Sequence, residues 1–172
     1  QSISSRENDP LDAVVVSITQ VHGGDTWNVI PPDVVLRGTA RSFRGPVQDT
    51  IEPAIRRIAE GVAAAHGATV TMRYERRYPA TVNHARETET AAAVAADVVG
   101  DANVERDPTP SMGSEDFAFM LNEKPGCYVW LGNGPTDGEC TLHNPNYDFN
   151  DAILAVGASY WARLVERVLQ AD

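Results

Sequence analysis

The chain has 172 residues, 42% of them hydrophobic, enough to bury one ordinary core or two small ones, and it holds no apolar run long enough to span a bilayer. Its formal net charge of -10, from 24 acidic against 14 basic residues, argues against nucleic acid as a partner, because phosphate binding needs clustered cations. The two cysteines, Cys127 and Cys140, cannot build the disulfide framework of a small secreted domain, so a reduced cytoplasmic setting is expected.

Residues 1–10 are polar and lack the apolar stretch of a signal peptide. They do not begin with Met, and the expectation is an internal piece of a longer polypeptide. Residues 12–18 are β-branched and predict a strand. Residues 22–25 (His-Gly-Gly-Asp) read as a turn and residues 28–33 as a loop. Residues 34–43 predict a second strand, with Leu36, Gly38, Ala40 and Ser42 on one face and Arg37, Thr39, Arg41 and Phe43 on the other. Residues 49–66 carry apolar side chains at helical spacing (Ile51, Ala54, Ile55, Ile58, Val62, Ala65), and Gly67 is a natural stop. Residues 68–74 predict a third strand. Strand, strand, helix, strand is a ferredoxin-like α+β layer lacking its first strand and first helix, which implies further upstream sequence and a sheet face left wet.

The pattern changes after Pro79. Residues 87–99 predict an alanine-rich helix closed by Gly100, and residues 114–121 a short helix with Ser114 as N-cap and Glu115 and Asp116 in its first turn. Residues 127–132 form an apolar run that predicts a strand, ending in a loop over residues 132–135. Asn150 is placed to cap a last helix whose inward face is Ile153, Val156, Ala158, Trp161, Leu164, Val165, Val168 and Leu169. Strands with helices between them suggest one edge of an α/β sheet. The expected organisation is therefore α/β overall, with one part over residues 1–79 and another over 80–172.

Chemistry concentrates in a few places. His143 stands on an Asn-Pro turn ahead of the last helix, where a metal ligand could be held rigidly. The plainer reading is a loop histidine bonded to a carbonyl. Asp148 is near enough in sequence to accept a hydrogen bond from the ring and orient it. Cys140 completes a Cys-x-x-His spacing with it, but no second half of a zinc site follows. The run Ser111-Met112-Gly113-Ser114-Glu115-Asp116-Phe117 offers small residues and helix-start amides suited to a carboxylate or an oxyanion, although a capped helix start explains it equally well. Asn28, behind the Gly23-Gly24 turn, reads as a turn residue or as an amide reaching a ligand, and His22 has the same two readings. His66 reads as a helix C-terminal cation and His84 as a surface residue. No Gly-x-Ser-x-Gly elbow, phosphate-binding glycine loop or His-Glu-x-x-His pair is present, so serine hydrolase, kinase and dinucleotide-enzyme readings have no support.

Four runs occur in order: residues 19–31 (Thr-Gln-Val-His-Gly-Gly-Asp-Thr-Trp-Asn-Val-Ile-Pro), 36–41 (Leu-Arg-Gly-Thr-Ala-Arg), 112–117 (Met-Gly-Ser-Glu-Asp-Phe), and Leu142-His143-Asn144-Pro145 with Tyr147-Asp148-Phe149. Together they resemble the C-terminal half of the hippurate hydrolase and indole-acetyl-amino-acid hydrolase branch of the aminoacylase/carboxypeptidase metallopeptidases. The resemblance implies a catalytic α/β domain interrupted by a smaller lid that also dimerises. Residues 1–79 would then be the later part of that lid, and 80–172 the return of the catalytic domain. It implies two divalent ions, zinc or manganese, activating a water for attack on the amide of an N-acyl amino acid. His143 would be a metal ligand, and Asn28, Ser111, Gly113, Ser114 and Glu115 substrate-binding residues. The family's other ligands, its glutamate base and a lid histidine come from upstream sequence. The catalytic residues are accordingly absent from these 172 residues, and this chain alone is expected to be inactive. A competing reading is a non-catalytic ferredoxin-like binding or assembly module that pairs edge strands with a partner.

Overall fold

The structure, a computed structural model, describes residues 1–134 and 142–169. Valines drive the first strand: β1 spans Val14–His22 and pairs antiparallel with β2, Val35–Ser42. Opposite pairs run from Val14 with Ser42 to Ile18 with Gly38, then jump to Gln20 with Arg37. Thr19 is thus an extra residue, a β-bulge, and its hydroxyl donates to the Arg37 carbonyl at 3.4 Å. The bulge reverses the alternation of β1, so Val21 returns to the face that carries Val14, Val16 and Ile18, together with Leu36 and Ala40 of β2. That shared face is the apolar one.

Only one end of this face is covered. A short helix α1, Ser2–Arg6, packs on β1, and α2, Gly45–Ala65, packs on β2. Ile3, Val47 and Ile51 are buried there, while Val14, Val16 and Ala40 are half-buried. At the bulged end Ile18, Val21 and Leu36 stay exposed. The helix α2 begins four residues before the predicted start. Pro46 in its first turn has a preset φ and lacks only an N–H that would have no partner anyway. At its other end Gly67, with φ +70°, closes a Schellman motif: Ala68 N–H donates to Ala63 O at 2.9 Å and Gly67 N–H to Ala64 O at 3.1 Å.

The chain divides into two compact units, residues 1–80 with 111–115, and residues 81–110 with 116 onward. In the second unit α3, Ala85–Val99, packs against α5, Leu154–Val168. The short helix α4 spans Phe117–Glu123. Among the described residues, Val94, Ala91, Ala118 and Leu121 are the buried side chains of this unit, and the rings of Phe117 and Tyr128 tilt together at 5.7 Å.

Four expectations are corrected. Residues 68–74 form no ladder among the described residues, although Met72 and Tyr74 are half-buried between exposed neighbours and so keep the two-residue alternation. Residues 127–132 likewise pair with no strand. The Asn83 side chain donates to Tyr128 O at 2.9 Å and accepts from Tyr128 N–H at 2.8 Å, taking the place of a neighbouring strand. The short helix starts at Phe117, and Ser114 does not cap it, because residues 111–115 belong to the other unit. The predicted inward face of α5 is only partly covered: Ile153, Val156 and Leu164 are half-buried, while Ala158, Trp161, Val165, Val168 and Leu169 are exposed. Among the described residues, no helix is long and apolar enough to cross a membrane.

Candidate functional site

His143 has φ +71°, the one non-glycine residue with positive φ among those described. A side chain in this left-handed region is held there by its surroundings rather than by its own preference. The next turn supplies part of the hold: Asn144 Oδ1 accepts from Asn146 N–H at 2.9 Å, and Asn144 O accepts from Tyr147 N–H at 3.0 Å. Beyond it, Asn133 and Asn150 clasp one another. Asn133 Oδ1 accepts from Asn150 N–H at 2.8 Å, Asn150 Nδ2 donates to Asn133 O at 3.1 Å, and Asn133 Nδ2 donates to Asp148 O at 3.4 Å. Gly134, with φ +89°, makes room for this clasp, since a Cβ there would lie 3.1 Å from Asn150 Nδ2.

Asn150 has a second task, accepting from Ala152 N–H at 3.1 Å and so starting the 3-10 turn Asp151–Ile153 that leads into α5. Asn150→Ala is expected to cost about 2 kcal/mol, a cap of about 1 kcal/mol plus one further hydrogen bond of similar size. Asn150→Asp keeps the cap acceptor and should lose about half of that. Thermal unfolding midpoints of the two variants check the order.

The His143 ring is exposed, as is Asp148. Among the described residues no hydrogen bond joins them, and Asp148 is engaged through its backbone carbonyl. Cys140 lies outside the described residues, as does Pro135.

The second cluster sits in the β1–β2 connection. Asn28 is exposed and its Oδ1 accepts from the Thr26 hydroxyl at 3.1 Å. His22 Nε2 donates to Gln20 Oε1 at 3.3 Å. An open cavity of about 580 Å3 is lined here by His22, Gly23, Asp25, Pro31, Pro32 and Asp33, among others. Gly23 closes the base of the loop, because a Cβ on it would come within 2.8 Å of Val34 Cγ2.

Residues 111–115 form the third cluster. Ser111 Oγ accepts from Gly113 N–H at 3.2 Å, and Arg41 Nη1 of β2 donates to Met112 O at 2.7 Å. Ser111, Gly113 and Ser114 are exposed and Glu115 is half-buried. Asn28 and this segment belong to the first unit, His143 and Asp148 to the second. Among the described residues, no group of three or more His, Cys, Asp or Glu side chains is gathered where it could hold a metal ion. His143 alone therefore does not make a metal site, which needs three or four ligands.

Sequence reasoning passed over three of these side chains. Arg41 stood in plain view in the 36–41 run, but nothing local shows that its partner lies 71 residues away. Asn133, between two glycines, reads as part of a flexible loop. His84 reads as a surface residue, yet it is half-buried: its Nδ1 accepts from Gly126 N–H at 3.2 Å and its backbone N–H donates to Gly126 O at 3.0 Å.

The model of peptidase family M20/M25/M40 matches residues 4–167. The chain belongs to this family. Within it, an N-acetylcysteine deacetylase from Bacillus subtilis is 35% identical over 170 residues, which cover 99% of this chain and 43% of the relative. A hippurate hydrolase from Campylobacter jejuni is 34% identical over 170 residues, 99% of this chain and 44% of the relative. An IAA-amino acid hydrolase from Arabidopsis thaliana is 35% identical over 176 residues, 99% and 39% respectively. Among solved structures, a dinuclear metal binding peptidase of the M20 family from Bacillus subtilis superposes with TM-score 0.71 at 34% identity, covering 92% of this chain and 43% of that one. The M20 chain described here thus spans about two fifths of the length of the curated relatives it matches. Its mixed helix-and-strand architecture is the α/β class expected from the sequence.

Proposed function

We propose that the full-length protein is a metal-dependent amidohydrolase that cleaves the amide bond of N-acyl amino acids. Similarity over 99% of the chain to relatives named N-acetylcysteine deacetylase and hippurate hydrolase carries this reading, since both compounds are N-acyl amino acids. The similar solved structure is of a dinuclear metal binding peptidase, which supports two metal ions. We take these to be divalent zinc or manganese, whose chemistry is to lower the pKa of water and polarise a carbonyl. His143 supplies one ligand, and the remaining ligands and the general base come from outside these 172 residues. This chain alone is therefore inactive.

Asp148 accepts from the ligated ring. Asn28, Ser111, Gly113, Ser114 and Glu115 bind the substrate. Residues 1–79 form the later part of a lid that pairs two copies as a homodimer, and 80–172 a part of the catalytic domain. The cytoplasm is the compartment, in keeping with the sparse cysteines.

Metal content and hydrolysis measured together test the proposal. The full-length protein is expected to bind about two divalent ions per chain, to hydrolyse hippurate or N-acetylcysteine, and to lose that activity to a chelator and regain it with zinc or manganese. A full-length protein that binds no divalent ion and hydrolyses neither compound would be a binding module instead.

A further inference from the structure

The segment 111–115 is joined in sequence to the second unit at both ends, at Pro110 and Asp116, yet it packs with the first. Ser111, Gly113 and Ser114 are small and exposed and bury little, while Met112 and Glu115 are half-buried, so apolar burial of the Met112 side chain and polar contacts to the first unit share the work of holding it. Within the segment, the bond from Gly113 N–H to Ser111 Oγ is local and shapes a turn without tethering it to anything. Among the described residues, the long-range hydrogen bond of the segment is that of Arg41 Nη1 to Met112 O, at 2.7 Å. It is charge-assisted, and its donor is rooted on β2 opposite Val15, in the most regular part of the ladder.

The geometry points to Arg41 as a positioning residue that fixes the 111–115 segment on the first unit. This goes beyond the assignment of Ser111, Gly113, Ser114 and Glu115 to substrate binding. It rests on that reading for its bearing on activity, but not for its structural content. Arg41 touches no reacting atom in this role. It sets where the backbone of Met112 lies, and hence where the flanking amides and hydroxyls point. A residue acting this way should be partly replaceable by lysine, which keeps one cationic donor on a long stem, and not by methionine, which keeps the stem's bulk without a donor.

Backbone 15N relaxation on the full-length protein tests the inference without any need for activity. In the parent chain the amides of Met112, Gly113 and Ser114 are expected to show order parameters near those of the β1–β2 ladder, about 0.8 or above. In Arg41→Met they should fall below about 0.6, with the ladder and α3 unchanged, and Arg41→Lys should recover part of the loss. Unchanged order parameters in Arg41→Met, with the same fold elsewhere, would overturn the assignment. If Arg41→Met disturbs the ladder as a whole, Arg41→Lys and Arg41→Gln decide, because each keeps a donor and only the shorter fails to reach Met112. In the full-length enzyme the same variants should raise KM about tenfold with kcat reduced less, in line with a lost hydrogen bond worth about one decade. Relaxation changes with no hydrolysis in the parent would refute the amidohydrolase reading while leaving the tether standing.

Discussion

In the full-length protein, His143→Ala is expected to abolish metal binding and hydrolysis together. A metal ion that activates water supplies several kcal/mol of transition-state stabilisation, so losing about 4 kcal/mol corresponds to roughly a thousandfold in rate. The backbone complicates the simple variant, because residue 143 holds φ +71° and alanine tolerates that region less well than asparagine. His143→Asn separates the two effects: it accepts the left-handed backbone and removes the imidazole. Both variants should lose metal and activity alike, and His143→Asn should unfold at the higher temperature. Metal analysis beside a hydrolysis assay reads the outcome, and retained metal with retained activity would remove His143 from the ligand set.

The largest effect on folding is expected at Gly38. A Cβ there would lie 2.2 Å from the Ser17 carbonyl oxygen, 3.1 Å from Ser17 C and 3.2 Å from Ile18 Cα. All three are backbone atoms of β1, so no side chain can swing aside, and the strands must separate beside the Thr19 bulge. Gly38→Ala should cost about 3 kcal/mol, a large part of the stability of a small domain. The urea midpoint should drop by roughly 1–2 M at an ordinary dependence on denaturant. Gly61, one turn before the end of α2, provides the contrast, since a methyl group added there would meet nothing within 4 Å. Gly61→Ala should stabilise by about 0.5–1 kcal/mol through helix propensity alone. If Gly38→Ala were as harmless as Gly61→Ala, the tight crossing at Ser17 would not exist in solution.

The Gly38 result also bears on the site. The bulge beside it returns Val21 to the apolar face, and His22 and the loop carrying Asn28 follow directly. Arg41, three residues along β2 from Gly38, is the tether of the 111–115 segment. Disturbing one strand crossing therefore reaches two of the three clusters described above.

Periodicity made much of the fold legible in the sequence. Apolar residues at helical spacing marked α2, α3 and α5, valine-rich runs marked β1 and β2, and Gly67 and Asn150 marked a helix end and a helix start. These signals act over a few residues, through backbone sterics and local hydrogen bonds, and so survive without knowledge of the rest of the chain. The four runs carrying Asn28, Arg41, Ser114 and His143 were enough to point to the family that the comparisons show.

What the tertiary structure alone decided lies at longer range. A bulge at Thr19 exists only as a mismatch between two strands, and neither strand announces it. Whether residues 68–74 or 127–132 become ladder strands depends on a partner, and for Tyr128 that partner is the Asn83 side chain. The recruitment of 111–115 to the first unit by Arg41 and the Asn133–Asn150 clasp behind His143 join groups far apart in the chain. Backbone polar groups must find partners wherever packing brings them, and composition cannot say which carbonyl will be near which guanidinium.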